Sequence, residues 1–285
     1  VGSEMCIRDS DWTRPAAPGT LRLPVGVVDR PYEQRRDLHV LDVSGAAGNI
    51  AVVGGPQSGK STTLRTIIMA AAASHTPEQV QFYCLDFGGG SLAGLAGLPH
   101  VGSVATRGDM DAVRRTVAEV AAIVRARETT FARLGIDSMR DYRARRAAWF
   151  ESGTTTADDP LAADRFGDVF LVFDGIAVLR NEFESLEEQI NVIVSQGLSY
   201  GVHIIVSASR WAEVRPAMRD LIGSRLELRL GDAMDSEMGR RAASLVPQNR
   251  PGRGLTAQEL HMLIALPRLD GCLLYTSDAA DERSS

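Results

Sequence analysis

The stretch Asn49-Ile50-Ala51-Val52-Val53-Gly54-Gly55-Pro56-Gln57-Ser58-Gly59-Lys60-Ser61-Thr62 decides the fold. Ile50 to Val53 is continuously apolar, as a strand buried on both faces must be. It feeds Gly54 to Ser61, which matches the phosphate-loop pattern of Gly, four residues, Gly, Lys and Ser or Thr. From Lys60 onward, Leu64, Ile67, Ile68 and Ala71 fall on one face of a helix. Strand, loop and helix in that order give the pattern its chemical meaning. Glycines let successive amides curl toward a phosphate, and the helix N-terminus adds partial positive charge. Gly54, Gly55, Pro56, Gln57, Ser58 and Gly59 would then form the cradle, and Lys60 would bridge the β and γ phosphates. Ser61 would put its hydroxyl on Mg²⁺, and Thr62 would back the loop by hydrogen bonding. Of 31 basic residues, Lys60 is the one lysine, in a chain otherwise committed to arginine.

A triphosphate site of this kind needs a second acid at the end of a nearby strand. Asp168-Val169-Phe170-Leu171-Val172-Phe173-Asp174 supplies it, because five apolar residues carry Asp174 to the carboxyl edge where open parallel sheets bind ligands. Asp174 is the expected metal-site acid. The next position, where many such enzymes place a glutamate to polarise water, is Gly175. Without a positioned base, hydrolysis slows by about 10²- to 10⁴-fold. Asp86 ends the run Val80 to Leu85 and precedes Phe87-Gly88-Gly89-Gly90, so it reads as a turn and loop opener or as a contact to metal or water.

Around these motifs, apolar runs alternate with helical periodicity, the pattern of an α/β chain with a mainly parallel sheet flanked by helices. Expected strands are Asn49 to Val53, Val80 to Leu85, Val101 to Ala105, Asp168 to Phe173, Val202 to Val206 and Arg225 to Leu230. Residues 21–48 add edge strands. Met110, Val113, Val117, Val120 and Val124 mark a helix that Asp109 is placed to cap. Phe183, Leu186, Ile190 and Ile193 mark another, with Glu182, Glu184, Glu187 and Glu188 expected in its first turns. Gly153 to Pro160 reads as a surface loop.

At 285 residues, 44% apolar and 24% charged, the chain can bury one sizeable core. It lacks an uncharged apolar run of about 18 residues that would span a bilayer. The formal charge of -5 argues against nonspecific gripping of nucleic acid. Cys6, Cys84 and Cys272 make an odd number without metal-ligand spacing, which excludes a disulfide framework and points to a reducing compartment. The five histidines form no cluster in sequence. Residues 1–10 and 272–285 carry no periodic apolar pattern. Both resemble translated adapter sequence, the alternative being ordinary disordered termini, so the expected domain is 11–271, with the natural chain continuing beyond it at both ends.

Further motifs carry a resemblance. The phosphate loop is followed by Cys84-Leu85-Asp86-Phe87-Gly88-Gly89-Gly90, Leu98-Pro99-His100-Val101 and the Asp174 strand, then by Gly201-Val202-His203-Ile204-Ile205-Val206-Ser207-Ala208-Ser209-Arg210-Trp211 and Pro251-Gly252-Arg253-Gly254. In that order they resemble an FtsK/SpoIIIE-type ATPase domain, over about residues 20–271. Within that family the chain is most similar to a later, not the first, of the tandem ATPase modules in the EccC group of type VII secretion proteins.

The resemblance implies a RecA-like P-loop sheet, ATP and Mg²⁺ at the loop, and Asp174 as the Walker B acid. It implies work beside neighbouring ATPase domains, in a cytoplasmic position at the inner face of the membrane as part of a secretion complex that exports small helical proteins. Ser209 falls at the polar sensor position, with a strand-end hydroxyl satisfying the backbone as the competing reading. Family motors present an arginine finger to the neighbouring subunit, yet Ser195 to Gly201 contains no Arg. Arg210 and Arg225 are the substitutes to examine. Missing both glutamate and finger, which alone is worth about 10³- to 10⁵-fold, the module is expected to bind ATP far better than it cleaves it. The alternatives are an active motor pulling protein, or less readily DNA, through a ring, and a binding module for a substrate peptide.

Overall fold

The computed structural model describes residues 19–152, 161 and 164–267. The expected loop Gly153 to Pro160, both terminal segments, Cys6 and Cys272 lie outside these residues.

Among the described residues, ten strands join one sheet, in the order β2-β1-β10-β9-β8-β3-β7-β6-β4-β5. The strands are β1 (Arg22–Arg30), β2 (Arg35–Asp42), β3 (Ile50–Val53), β4 (Val80–Asp86), β5 (Val101–Thr106), β6 (Asp168–Asp174), β7 (Val202–Ala208), β8 (Ser224–Leu228), β9 (Arg253–Leu255) and β10 (His261–Ile264). From β8 across to β5 every pairing is parallel. The remaining strands add an antiparallel wing. The sheet is thus mixed and mostly parallel, as expected. Strands β3, β4, β6 and β7 are buried at every position, which is why they read as mainly apolar runs, broken only by a few polar residues such as Gln81, His203 and Ser207, rather than as alternating ones.

Helices cover both faces. On one, α1 (Lys60–Ser74) brings Leu64, Ile67 and Ile68 against Ile50, Val52 and Phe170. On the other, α2 (Met110–Leu134) sets Val113, Val117, Val120 and Val124 beneath Val169, Leu171 and Ile204. Asp109 caps α2 by accepting from Ala112 N, and Gly135 closes it in a left-handed turn. Burying a side chain such as Leu64 or Ile67 contributes about 1.5–3 kcal/mol each, so the two apolar layers hold the sheet between them.

Three expectations need correction. Strand β8 ends at Leu228, not Leu230, because the Arg229 carbonyl turns to accept Gly55 N. Glu182 ends α4 (Ile176–Glu182) instead of opening the next helix, and Glu184 lies in a 3-10 turn. Only Glu187 and Glu188 stand in the first turn of α5 (Glu187–Gln196). The sequence also hid α3 (Met139–Ser152), whose buried stripe of Met139, Tyr142 and Arg146 is mainly polar: the Tyr142 ring lies against the guanidinium groups of Arg146 and of Arg127, itself 2% exposed. Arg127 forks onto Asp164 at 2.7 and 3.1 Å and donates to the carbonyls of Tyr200 and Phe166. Strands β9 and β10 were missed as well, being only three and four residues long.

Candidate nucleotide site

The phosphate loop leaves the sheet tied on both sides. Gly54 N donates to Ala208 O at 3.0 Å and Gly55 N to Arg229 O at 2.8 Å, so the strands flanking β3 set the loop's exit. Gln57 and Gly59 take positive φ values of 56° and 99°, the curl that turns amides inward. A Cβ on Gly59 would lie 2.9 Å from Gly252 N, and that N–H donates to Ser58 O at 2.8 Å. The Pro251-Gly252 turn of the antiparallel wing therefore supports the loop from behind.

Lys60 Nζ donates to Gly54 O at 2.7 Å and Gly55 O at 2.9 Å. Burial lowers its pKa, and the charges of Asp174 and then Glu213 oppose that shift. The ammonium thus sits over a ring of backbone in a site built for negative charge. Ser58 Oγ is buried without a protein partner, an orphaned donor inside the cradle. Pro56 and Gln57 are exposed at the rim. Thr62 is partly exposed, and the hydroxyl that backs the loop belongs to Thr63, which reaches Gly59 O at 2.9 Å. One helical turn separates donor from acceptor, the ordinary i to i−4 geometry of a helical threonine.

Asp174 ends β6 level with Asp86 of β4 and is 2% exposed. Three hydroxyls converge on it: Ser61 at 2.7 Å, Ser91 at 2.9 Å and Ser207 at 2.7 Å. The expected pair of Ser61 and Asp174 is therefore brought together. Ser91 and Ser207 were not foreseen. The available signal for Ser207 was a hydroxyl interrupting the apolar run of β7, one residue past Val206, which pairs with Phe173. Ser209, the expected sensor, lies two residues further on. Its N–H donates to Glu213 Oε2 at 2.7 Å, and its hydroxyl makes no bond to the site.

Asp86 resolves as the loop opener. Its carboxylate accepts from Gly88, Gly90 and Leu92 N, at 3.2, 3.1 and 2.7 Å. The loop so gathered lies on Asp174, where a Cβ on Gly88 would stand 2.7 Å from Asp174 Oδ2. Gly175 has φ of 96° and donates its N–H to Ser207 Oγ at 2.8 Å. It precedes α4 in a left-handed conformation that a glutamate adopts only with strain. Of the substitute arginines, Arg225 is committed within the chain to Glu237, the carbonyls of Ile222 and Arg219, and the face of Trp211. Arg210 is exposed at the carboxyl edge of β7.

These residues fit a magnesium nucleotide. An orphaned serine donor, a lysine resting on its own loop and a hydroxyl–carboxylate pair are the donor set that phosphate oxygens and Mg²⁺ require. Ser61, Asp174 and phosphate oxygens would hold the metal. Among the described residues no three His, Cys, Asp or Glu side chains converge as a separate metal site.

A glycine-cradled lysine at the end of one parallel strand, with its acid two strands away across β7, defines a P-loop NTPase. The chain belongs to the FtsK/SpoIIIE family, whose profile matches residues 16–270. It is 56% identical over 253 residues to the ESX secretion system protein EccC of Thermomonospora curvata, covering 89% of this chain and 18% of that protein. It is 55% identical to the ESX-4 secretion system protein EccC4 of Mycobacterium tuberculosis, covering 90% of this chain and 20% of the relative. The chain thus spans about a fifth of these relatives. Among solved structures, the cytoplasmic domain of the T. curvata type VII secretion ATPase EccC aligns with a TM-score of 0.82 at 55% identity, over 89% of this chain and 28% of that one. A structure of T. curvata EccC ATPases 2 and 3 with a signal sequence peptide aligns equally well, over 44% of its length. The chain is an EccC-like ATPase module, and no helix among its described residues is long and apolar enough to cross a membrane.

Proposed function

We propose that this module binds Mg-ATP as a structural ligand that stabilises its interface with a neighbouring ATPase domain in a type VII secretion assembly, hydrolysing it only slowly. The observation that carries this reading is Gly175: the residues that would hold the phosphates stand beside a base position occupied by a left-handed glycine, which supports binding over cleavage. The assembly would sit at the inner face of the cell membrane and export small helical proteins, and the peptide bound in the T. curvata structure supports a protein substrate. The chain's acidic balance disfavours DNA.

Mg-ATP should raise the unfolding temperature of the protein strongly, with negligible turnover, and Lys60→Ala should abolish the rise. Robust hydrolysis by the isolated chain would overturn the proposal. The rival reading, a protein-translocating motor, draws support from Arg210, an exposed guanidinium beside the site that could reach a neighbour. It requires turnover that appears on adding partner domains or substrate and disappears in Asp174→Asn.

A further inference from the structure

Of the three hydroxyls on Asp174, that of Ser91 is the one that no strand or helix carries. It stands in the loop between β4 and the 3-10 turn Ala93–Leu95. Its bond to Asp174 is not what holds this loop in place. Asp86 accepts from Gly88, Gly90 and Leu92 N, and Phe87 N donates to the Asp174 carbonyl at 3.0 Å. Leu92, directly after Ser91, is fully buried in the same apolar layer as Leu64 and Ile67. The backbone is thus fixed on both sides of Ser91, and the contact made by its hydroxyl acts on the carboxylate. Ser91 Oγ at 2.9 Å and Ser61 Oγ at 2.7 Å donate to the same oxygen, Oδ2, while Ser207 donates to Oδ1. Gly88 closes the remaining side, since a Cβ there would stand 2.7 Å from Oδ2, 2.9 Å from Cγ and 3.2 Å from Oδ1. A hydroxyl has one hydrogen and two lone pairs, so with its hydrogen on Asp174 the partly exposed Ser91 keeps acceptor capacity for a water.

We infer that Ser91 is a positioning residue of the magnesium site: with the glycine loop that carries it, it holds the Asp174 carboxylate in the orientation the ion requires. The inference deepens the nucleotide reading above and rests on it. Magnesium demands near-ideal octahedral geometry, so an acid that is free to turn holds it less well. Removing a hydrogen-bond partner from a metal-site acid typically costs about 10- to 100-fold in metal affinity. Ser61 and Asp174 would meet the ion, and Ser91 acts through Asp174.

Two other roles are open to the same hydroxyl: a tie for the loop, and a lock that the ion must displace. Calorimetric affinities for ATP with magnesium and with EDTA separate all three through their ratio. Each variant is its own reference across the two conditions, so a general loss of stability cancels. Ser91→Ala should lower the ratio about 10-fold by weakening Mg-ATP while metal-free ATP binds as before. Ser91→Thr keeps the hydroxyl and should keep the ratio. Gly88→Ala probes the other side of the same carboxylate. Gly88 has no positive φ, and the three atoms nearest an added methyl all belong to Asp174, so this variant should lower the ratio as well. An unchanged ratio in Ser91→Ala means a loop tie and overturns the proposal. A raised ratio means a lock, and equal weakening in both conditions means a deformed phosphate loop; either overturns it too. If the unsubstituted protein binds no ATP, or binds it equally without magnesium, the nucleotide reading itself fails and the proposal falls with it.

Discussion

Ser61 Oγ and Asp174 Oδ2 lie 2.7 Å apart, a hydroxyl and a carboxylate 113 positions apart in sequence that meet across the mouth of the sheet. In the proposed magnesium site these two side chains would hold the ion together. Asp174→Asn should therefore weaken Mg-ATP far more than metal-free ATP. A charge-assisted bond is worth about 1.5–3 kcal/mol, so the expected loss is about 10- to 100-fold, measured as the ratio of affinities with and without magnesium. Equal weakening in both conditions would contradict the assignment.

Restoring a glutamate at position 175 should not restore hydrolysis. The φ of 96° imposes a cost of about 1–2 kcal/mol on any side chain there. Gly175→Ala isolates that cost. For a domain of this size it should lower the unfolding temperature by a few degrees, at roughly 2–4 °C per kcal/mol. Gly175→Glu should show the same loss without a gain in turnover, read by thermal melting and phosphate release.

Ser207 joins two backbone elements through one hydroxyl, accepting from Gly175 N and donating to Asp174. Ser207→Ala leaves the N–H unpaired and removes one donor from the buried acid, a cost of about 1–3 kcal/mol. Ser209→Ala should be nearly silent, since its contact with Glu213 uses the backbone. Denaturant melts of the two variants distinguish the near-site serine from the one first expected.

Stability should fall on acidification in two stages. His39 is partly buried on β2, and burial lowers its pKa from 6.5 to about 4. Its neutral form belongs to the fold, so its contribution is complete above pH 6.5 and is lost as the pH falls toward 4. Discounted for partial exposure, that is about 1–2 kcal/mol, and His39→Gln should flatten this limb. Asp168 is held well below the usual carboxylate range by bonds from Arg143 and His203, which outweigh its burial. Its contribution is present above the ordinary aspartate pKa and is lost only below it. Melts from pH 7 to pH 3 should show the His39 limb in full and only the onset of the Asp168 limb, which runs on to lower pH.

Cys84 lies fully buried in β4 with its thiol pushed up to about 12, chiefly by burial. It should resist alkylation in the native protein and react only on unfolding, which makes thiol labelling a probe of global opening.

Much of this was legible because two kinds of pattern are local. Ile50 to Ser61 carries its strand, loop and helix within one short stretch, and the run ending at Asp174 shows its burial in its own composition. What escaped depended on neighbours distant in sequence. Ser91 reaches Asp174 only because Asp86 gathers the glycine loop, and Ser207 does so only through the register of β7 on β6. α3 escaped because its inward side is a polar cluster around Arg127, where an apolar stripe was the signal sought. Removing one partner of such a buried pair costs about 3–5 kcal/mol, so that cluster is as structural as any leucine.

The bond from Gly252 N to Ser58 O places the last antiparallel strands under the phosphate loop. On the ribosome, the prop is made almost two hundred positions after the loop's own residues. The nascent segment therefore cannot hold nucleotide in its finished geometry until the far wing has been translated and has paired. Ligand capture would then mark completed synthesis of the unit, withholding that stabilisation from truncated products.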